Sequence, residues 1–363
     1  MESHPLGGFF LFSSLSDFSR LVKKLFFCVS MKRAYSFIIP VYNRPDEIDE
    51  LLASMVSFTT AIPFEVCIIE DGSQQDCKTV VERYKDKLTI NYHYKENSGP
   101  GPSRNYGMKV ATGNYFIILD SDVIMPSDYL DLVEEALSIN YFDCFGGADA
   151  AHDSFSNLQK AINYSMTSFL TTGGIRGKKK AVQNFEPRSF NMGISKACFE
   201  AVGGFGKIHP GEDPDLSWRI KKAGFNTGFI PGAAVFHKRR ISWSKFKQQV
   251  TKFGLVRPIL NTWHPESRKI TFWFPTLFIL GLVVSLIFLI LGYWWFAALY
   301  AFYFCLLLIH ATILNKSLSI GLMALWATCV QFYGYGMAFL KSFWQVRLLK
   351  KDPEQVFPHL FFK

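Results

Sequence analysis

From residue 272 to residue 340 the chain carries almost no ionisable side chain, although the region before it has an ordinary polar content. Three apolar stretches follow one another there, at positions 272–292, 295–314 and 318–340. At about 1.5 Å per residue, each is long enough to cross a hydrocarbon core about 30 Å thick. The sequence therefore predicts one globular domain followed by a membrane region, and not two soluble domains.

The number of membrane crossings stays open on the sequence alone. Aromatic residues at 273–274 and 293–295 border the apolar stretches, as is typical of a membrane–water interface. Three crossings would leave the basic residues that follow outside the cell, against the positive-inside rule. Two crossings with an in-plane or re-entrant third segment would keep them inside. In both cases we expect a multi-pass protein of the inner, cytoplasmic membrane whose globular domain faces the cytosol. The basic residues concerned are Lys341, Arg347, Lys350 and Lys351.

The formal net charge of +9 points to a lipid surface and not to nucleic acid. Basic residues concentrate at 178–180, at 238–269 and near the C-terminus, and the middle group directly precedes the apolar block, where anionic headgroups would attract it. No motif that reads nucleic acid is present. The 7 cysteines include no Cys-x-x-Cys pair, which argues against a disulfide framework and a zinc site and favours a reduced, cytosolic domain.

We divide the chain into an N-terminal extension (1–34), a globular domain (35–240), an amphipathic segment (241–270), the membrane region (271–341) and a tail (342–363). The extension is a poor signal peptide and is either upstream sequence read through before Met31 or a membrane-surface helix. In the amphipathic segment, Trp243, Phe246, Val250 and Phe253 recur at helical spacing among lysines. This pattern predicts a helix in the membrane surface, and a helix packed on the globular domain is the alternative.

Within the globular domain, short apolar runs alternate with helical stretches. Residues 36–41, 64–69, 88–94 and 115–119 predict strands, and residues 46–57, 77–84 and 102–111 predict helices. Strands separated by helices form βαβ units, so the fold class is α/β with a Rossmann-like sheet. Ligands of such sheets bind beyond the carboxyl ends of the strands. Polar clusters stand at three of these ends, at 42–44, 70–73 and 120–122.

Asp120 and Asp122 directly follow the predicted strand 115–119. Two carboxylates one residue apart at a strand end can share a hard divalent cation with the phosphates of a substrate, because Mg²⁺ and Mn²⁺ favour oxygen ligands. His237 ends a further predicted strand and can complete the site. The sequence therefore predicts Mn²⁺ or Mg²⁺ as cofactor, with an ordinary acidic turn as the alternative for the aspartate pair alone.

Other strand and helix ends predict a nucleotide site. Asp71 can accept the imide N–H of a uracil-like base, and an ordinary Asp-Gly turn is the alternative. Arg104 and Asn105 lie in the first turn of a predicted helix, after a loop rich in glycine and proline. Backbone amides and a guanidinium at such a position favour phosphate. The loop lacks the Gly-Lys-Ser/Thr ending of a Walker loop.

Asp213 is the candidate catalytic base. It stands where a helix N-cap is expected, with Pro214 at the first helical position. A carboxylate held rigidly there suits the removal of a proton from an acceptor hydroxyl. A simple cap explains the residue equally well when it is considered alone.

Taken in order along the chain, these motifs resemble glycosyltransferase family 2, an inverting family with the GT-A fold, over residues 35–237. The motifs are Ile39-Pro-Val-Tyr-Asn-Arg44, Glu70-Asp-Gly-Ser73, Asn97-x-Gly99, Ser103-Arg-Asn-x-Gly107, Ala111-x-Gly113, Leu119-Asp-Ser-Asp122, Asn191-Met-Gly193, Gly203-Gly-Phe205 and Glu212-Asp213.

The resemblance implies a role for each matched residue. It implies that Asp213 is the catalytic base and that Asp120, Asp122 and His237 hold the metal. The implied donor-binding residues are Pro40, Tyr42, Asn43, Arg44, Asp71, Arg104, Asn105 and Asp120. The implied acceptor side, or wall of the active site, consists of Asn191, Met192, Gly193 and Glu212.

The resemblance also implies the reaction: one sugar moves, with inversion, from a nucleotide-diphosphate sugar (a UDP-sugar is favoured) to a lipid-linked or membrane-proximal glycan acceptor in cell-surface glycan synthesis. Processive members of the family carry a Gln-x-x-Arg-Trp motif, which is absent from residues 249–257. A processive polysaccharide synthase is therefore the second hypothesis. A nucleotidyltransferase and a non-catalytic membrane scaffold with a transferase-like domain are the alternatives from other classes.

Overall fold

The structure, a computed structural model, describes residues 32–150, 156–172, 186–237 and 242–362. Both interpretations of the N-terminal extension concern residues that lie, except for 32–34, outside this described part. The basic run 238–240 also lies outside it.

In the described part of the chain, eight strands form one mixed sheet in the order β3-β2-β1-β4-β7-β6-β8-β5. Their bounds are β1 Tyr35–Val41, β2 Phe64–Asp71, β3 Ile90–Lys95, β4 Tyr115–Leu119, β5 Val123–Ile124, β6 Cys144–Ala150, β7 Asn191–Ser195 and β8 Thr227–His237. The first four strands are parallel, and β7 runs antiparallel between β4 and β6. β8 pairs parallel with β6 and antiparallel with β5. The predicted α/β fold class is confirmed.

Helices cover both faces of this sheet. Their bounds are α1 Pro45–Val56, α2 Lys78–Glu82, α3 Pro100–Val110, α4 Tyr129–Ile139, α7 Lys196–Val202 and α8 Glu212–Lys222. Two further helices, α5 Asn157–Thr167 and α6 Phe169–Thr172, contact the C-terminal helices instead. Successive side chains of a strand point to opposite faces. Accordingly Phe37 and Ile39 of β1 pack in one core cluster with Leu51 of α1, whereas Ile38 packs in the other with Met108 of α3. Because both faces are covered, the central strands are continuous apolar runs.

The C-terminal part of the chain is helical. It contains α9 (Trp243–Trp263), α10 (Phe274–Ile290), α11 (Trp295–Asn315), α12 (Leu318–Ser342), a π-helical turn (Phe343–Leu348) and the short α13 (Pro353–Val356). In the described residues, three segments are long and apolar enough to cross a membrane, by length and composition: Ile270–Ile290, Trp295–Asn315 and Leu318–Leu348. Their mean hydropathy values of 2.5, 2.0 and 1.2 fall along the chain, so the last is the least lipid-like.

α10 and α11 form an antiparallel hairpin, in which the rings of Phe288 and Phe296 lie 5.0 Å apart near the turn. α12 lies across the open end of this hairpin instead of extending alongside it. Its early residue Gly321 contacts Thr312, near the end of α11. Its later residue Phe339 contacts Trp273, just before α10, with ring centroids 4.9 Å apart. Both ends of α12 therefore lie at one end of the hairpin.

The amphipathic helix α9 is covered by protein. Phe246 and Val250 are buried in a cluster with Ile162 of α5 and Ala327 of α12. Further along, α9 and α12 approach closely, since a Cβ added at Gly254 would lie 2.4 Å from the carbonyl oxygen of Tyr335. The apolar face predicted to enter the membrane surface thus packs between the N-terminal domain and α12. The periodicity identified the buried face but not what covers it.

The end of the chain returns to the N-terminal domain. We call residues 353–362 the C-terminal strap. The Leu360 carbonyl accepts from the His209 amide at 2.7 Å, and the Phe362 amide donates to the Lys207 carbonyl at 3.0 Å. The Phe362 ring covers Gly99, whose φ of +90° favours glycine and where a Cβ would lie 2.4 Å from that ring. The strap therefore contacts the loop that precedes α8 and the start of α3.

Candidate active site

The carboxyl ends of β1, β2 and β4 meet at one edge of the sheet, and the start of α8 faces this edge. β4 ends at Leu119, as predicted, so Asp120 and Asp122 project from its end. Across from them, α3 contributes Arg104 and α8 contributes Glu212. Acidic and basic groups that are far apart in the sequence thus form one site.

Arg104 is the centre of this site. Its buried guanidinium donates from Nη2 to Asp120 Oδ1 at 2.8 Å, and its Nη1 lies 3.4 Å from Glu212 Oε1. The Phe205 ring lies under the same group, with 5.3 Å from the guanidinium carbon to the ring centroid. In the described part of the chain, Arg104 Nε has no hydrogen-bond partner. A buried donor of this kind is typical of a group that binds a ligand.

Asp122 is paired with Arg44, whose Nη1 donates to Asp122 Oδ2 at 2.9 Å. The backbone of Val123, the next residue, pairs with that of His237 at the end of β8. The backbone positions of the two predicted metal ligands, Asp122 and His237, are therefore close together in space. Among the described residues, no three His, Cys, Asp or Glu side chains gather as a metal site. The residues fit a divalent cation that takes few protein ligands and completes its shell with phosphate oxygens.

Asp71 is already engaged within the protein. It is buried, and its two oxygens accept from the backbone amides of Ser98 and Gly99, each at 2.9 Å. The Lys95 ammonium group also donates to it. The carboxylate thus shapes the loop before α3, and a base would have to share it with these donors. Contact between Asp71 and the base stays a prediction.

The other predicted donor-binding residues on β1 have different exposures. Pro40 is half-buried within the strand, whereas Tyr42 just after it is 51% exposed. Asn43 adopts a positive φ of 53°, and its side chain accepts from the amides of Gln74 and Gln75 at 2.8 and 3.1 Å. Asn43 therefore joins the loops after β1 and β2, and Tyr42 is the residue of this group that is open to a ligand.

Asp213 lies in the first turn of α8. The helix begins at Glu212 and Gly211 occupies the N-cap position with a φ of +119°, so the prediction of Asp213 as N-cap is wrong. Gly211 is required because a Cβ there would lie 2.5 Å from Val256 of α9. Burial, and next the charge of Glu212, raise the pKa of Asp213 to about 6. Its Oδ1 is buried without a partner in the described part of the chain.

Glu212 remains the charged neighbour of Asp213. Burial opposes its ionisation, but the His209 hydrogen bond and the charges of His209 and Arg104 hold the pKa of Glu212 below its usual value. His209 Nδ1 lies 2.9 Å from Glu212 Oε1. Two adjacent carboxyl groups with pKa values shifted in opposite directions suit different roles, and the one with the raised pKa suits a base working near neutral pH.

The four residues predicted to form the acceptor side lie in two different environments. Asn191, Met192 and Gly193 form β7 and lie in the core, where a Cβ at Gly193 would lie 1.9 Å from the Phe145 ring. Asn191 is fully bonded, accepting from Tyr129 at 2.6 Å and donating to the Ala233 carbonyl at 2.8 Å. These three residues are buried within the sheet, and their part in the acceptor side stays a prediction. Only Glu212 of the four faces Arg104.

Asn105 also serves the fold. Its side chain donates to the Phe205 carbonyl and accepts from the Phe205 amide, each at 2.8 Å. This paired contact fixes the loop that carries Phe205 beneath Arg104. Asn105 thus acts on the site through Phe205.

Sequence reasoning missed two residues of the site. Lys95 ends β3, so the same strand-end rule that selected Asp71 would have selected it. His209 stands three residues before Glu212, next to a proline, and only the folded loop brings its ring to that carboxylate. The sequence carries no signal for that contact.

Comparison with known proteins identifies the family. Residues 36–200 match the family described as glycosyl transferase family 2. This segment, a little under half of the chain, is therefore a glycosyl transferase family 2 domain, as the order of the motifs predicted.

Two relatives illustrate how far the similarity extends. An uncharacterised glycosyltransferase of Rickettsia conorii is 37% identical over 142 residues, which are 39% of this chain and 22% of the relative. The chondroitin synthase of Pasteurella multocida is 38% identical over 237 residues, which are 56% of this chain and 24% of the relative. The chain thus matches about a quarter or less of the length of these relatives.

A solved structure supports the fold. The mannosyltransferase of Pyrobaculum calidifontis, determined with GDP-mannose and Mn²⁺, aligns with a TM-score of 0.54 and 15% identity. The alignment covers 88% of this chain and 89% of that one. At this identity the likeness shows the GT-A fold alone.

Proposed function

We propose that the protein is an inverting glycosyltransferase that moves one sugar from a nucleotide-diphosphate sugar, preferably a UDP-sugar, to a lipid-linked or membrane-proximal acceptor. One observation carries this proposal: Asp213, a carboxylate with a raised pKa, lies beside the Arg104–Asp120 pair at the ligand edge of a GT-A sheet. A candidate base and an anion-binding group thus lie close enough to interact electrostatically.

In the proposed reaction, Asp213 takes the proton of the acceptor hydroxyl. The hydroxyl oxygen then forms a bond to the anomeric carbon while the bond from that carbon to the diphosphate breaks. The bonding electron pair leaves with the nucleoside diphosphate, and attack from the opposite side inverts the anomeric centre. Negative charge grows on the leaving group, so fixed cations near it lower the barrier.

Arg104 and Arg44 are the proposed cations for the diphosphate. Each now pairs with one carboxylate of the Asp120–Asp122 motif. Arg44 is the more exposed of the two and can turn towards phosphate at little cost, whereas Arg104 is fixed by burial. Mn²⁺ or Mg²⁺ at Asp122, with Asp120 and His237 nearby, would neutralise diphosphate oxygens and so supply Lewis-acid stabilisation of the leaving group.

The helix packing supports a particular membrane arrangement. We propose that α10 and α11 cross the inner membrane and that α12 lies in its cytosolic surface. An exposed apolar stripe follows one face of α12, and its other face packs against α9 and α5. The basic residues after α12 then stay on the cytosolic side, as the positive-inside rule requires. The stripe consists of Leu318, Leu322, Trp326, Tyr333 and Met337.

Labelling with an impermeant maleimide in intact cells tests this topology. Tyr293→Cys, in the α10–α11 turn, should react from outside, and Lys351→Cys should react only after permeabilisation. The unmodified chain controls for its own cysteines. Labelling of Lys351→Cys in intact cells would instead indicate three crossings.

Donor titration tests the activity. The full chain, purified in detergent, is titrated by calorimetry with UDP- and GDP-sugars, with and without Mn²⁺. Saturable, Mn²⁺-dependent binding of one nucleotide class followed by transfer to a lipid acceptor is the expected result. Absence of binding to every donor by a folded sample would contradict the proposal and favour the scaffold hypothesis.

A processive synthase is the second candidate, because two relatives are named chondroitin synthase and hyaluronan synthase, both from Pasteurella multocida. Product length separates the two. A single added sugar per acceptor supports the main proposal, whereas a ladder of products that stay bound to the enzyme supports the synthase.

A further inference from the structure

A cavity of about 310 Å³ lies where α9 and the end of α12 meet the start of the first apolar segment. Three cationic side chains line it, and none of its lining residues among those described carries a carboxylate. Arg268 and Lys269 come from the link between α9 and α10, and Arg347 comes from the π-helical turn after α12. A cavity with this charge favours an anionic group.

Aromatic side chains also line the cavity. The Trp273 ring packs edge-on against Phe339 and Phe343, with centroid distances of 4.9 and 4.7 Å. The rings of Phe339 and Phe343 are nearly parallel, at 12°. These three rings form a rigid apolar surface next to the cations. The cavity therefore offers both cationic and aromatic groups to an occupant.

The position of the cavity matches a membrane interface. Arg268 and Lys269 directly precede the apolar segment Ile270–Ile290, so they lie at the depth of the headgroups if that segment enters a bilayer. Arg347 joins them because α12 crosses the open end of the hairpin and brings Phe339 onto Trp273. Basic pockets between helices at this depth are suited to phosphate headgroups.

α9 separates this cavity from the candidate active site. Pro258 and Asn261 line the cavity, whereas Val256 and Leu260 of the same helix are the neighbours of Gly211, two residues before Asp213. A lipid held in the cavity would contact α9 on the side away from the base. This position favours a lipid of the surrounding membrane over the sugar acceptor.

We propose that this cavity is a binding site for an anionic phospholipid. Arg268, Lys269 and Arg347 contact its phosphate, and the rings of Trp273, Phe339 and Phe343 pack on its first methylene groups. The lipid joins α9, α10 and the end of α12 at one point. It thereby holds α9 against α8, the helix that begins with Glu212 and Asp213.

The test uses the full chain, delipidated in detergent, and follows its Tm during titration with a short-chain phosphatidylglycerol. Wild-type protein should show a saturable rise in Tm, and phosphatidylcholine should give a smaller one. Arg268→Gln and Arg347→Gln should each weaken the phosphatidylglycerol effect about fivefold, as expected for the loss of one cation near a headgroup. Lys351→Gln is the matched control, because this exposed residue lies close in sequence but does not line the cavity.

Three results would overturn the proposal. Equal weakening by Lys351→Gln would mean that general surface charge, not the cavity, attracts the lipid. Equal stabilisation by inorganic phosphate would mean that the aromatic wall plays no part. Tighter binding of a polyprenyl phosphate, in competition with phosphatidylglycerol, would assign the cavity to the acceptor instead.

A second measurement does not depend on the folding of the arginine variants. Brominated phosphatidylglycerol should quench the fluorescence of Trp273 in the wild-type chain, because bromine on the upper part of the acyl chain would lie against this ring. Trp273→Phe should remove that part of the quenching and leave the other tryptophans unchanged. Quenching of equal extent in both proteins would overturn the assignment.

Discussion

Arg104 Nη2 donates to Asp120 Oδ1 at 2.8 Å, although the two residues belong to different elements, the helix α3 and the end of β4. The same guanidinium reaches Glu212, next to the candidate base. The predicted donor side and the predicted acceptor side of the site therefore share one buried cation. A change in the pairing of Arg104 with Asp120 therefore alters the electrostatic environment of Glu212, and a change in its pairing with Glu212 alters that of Asp120.

The first prediction concerns this shared cation. Arg104→Ala removes the arginine partner of Asp120 and of Glu212, and the loss of one member of a buried ion pair costs about 3–5 kcal/mol. Arg44→Ala removes a partner from Asp122 at a more exposed position, where the cost is about 0–1 kcal/mol. Urea unfolding should rank the two variants in this order. Equal losses of stability would contradict the central position of Arg104.

The second prediction is a pH profile. The pKa of Asp213 is raised to about 6, so its proton-accepting form predominates only above that pH. The pKa of Glu212 is lowered, so Glu212 stays ionised throughout this range. We expect kcat to fall about tenfold per pH unit below pH 6 and to level off above it. A profile that is flat between pH 5 and pH 8 would count against Asp213.

Folding stability gives the control for this pKa. A carboxyl group whose folded pKa exceeds its unfolded value binds more protons in the folded state, so its contribution to stability is lost as the pH rises through about 6. Asp213→Asn removes that dependence. The variant should therefore gain in Tm relative to wild type at pH 8 and not at pH 4.

The third prediction concerns the metal. Asp122→Ala should abolish the effect of Mn²⁺ on donor affinity, because Asp122 is the carboxylate next to the backbone of His237. Asp128→Ala, an exposed acidic residue in the same connection, is the control and should leave the Mn²⁺ titration unchanged. Calorimetric titrations of the donor with and without Mn²⁺ measure both. If the Mn²⁺ dependence survives in Asp122→Ala, the cation binds elsewhere.

The fourth prediction concerns the C-terminal strap. Leu360 is buried, and its truncation to alanine should cost about 2–5 kcal/mol of local packing. The His209 amide, which bonds to the Leu360 carbonyl, should then exchange its hydrogen faster. Leu348→Ala, at an exposed position, is the control. Unchanged exchange at His209 in Leu360→Ala would show that the strap does not hold this loop.

The sequence predicted the structure best where a run of residues of one type, such as apolar residues, fits only one environment. The apolar run 115–119 could only be a buried strand, and β4 has those bounds. Asn191 was assigned to the active-site wall from the family resemblance, whereas its place within the sheet could not be predicted from the sequence. Its hydrogen bonds to Tyr129 and Ala233 come from elements 62 and 42 residues away, and no local pattern reports them.

The membrane region shows a similar limit. Hydropathy identified three apolar segments, and the structure contains three helices there. Composition alone could not show that the third helix, α12, lies across the open end of the α10–α11 hairpin. That position depends on contacts between distant residues, such as Trp273 with Phe339. Two features of the sequence set the third segment apart: its lower hydropathy and the basic residues that follow it.

The most direct test of the central claim is to measure turnover and donor affinity of Asp213→Asn in one preparation. The amide keeps the shape of the carboxyl group but cannot take a proton from the acceptor. We therefore predict that kcat falls by about 10²–10⁴ while the Kd for the nucleotide-sugar stays close to that of wild type. Wild-type turnover in this variant would contradict the assignment of Asp213 as the catalytic base.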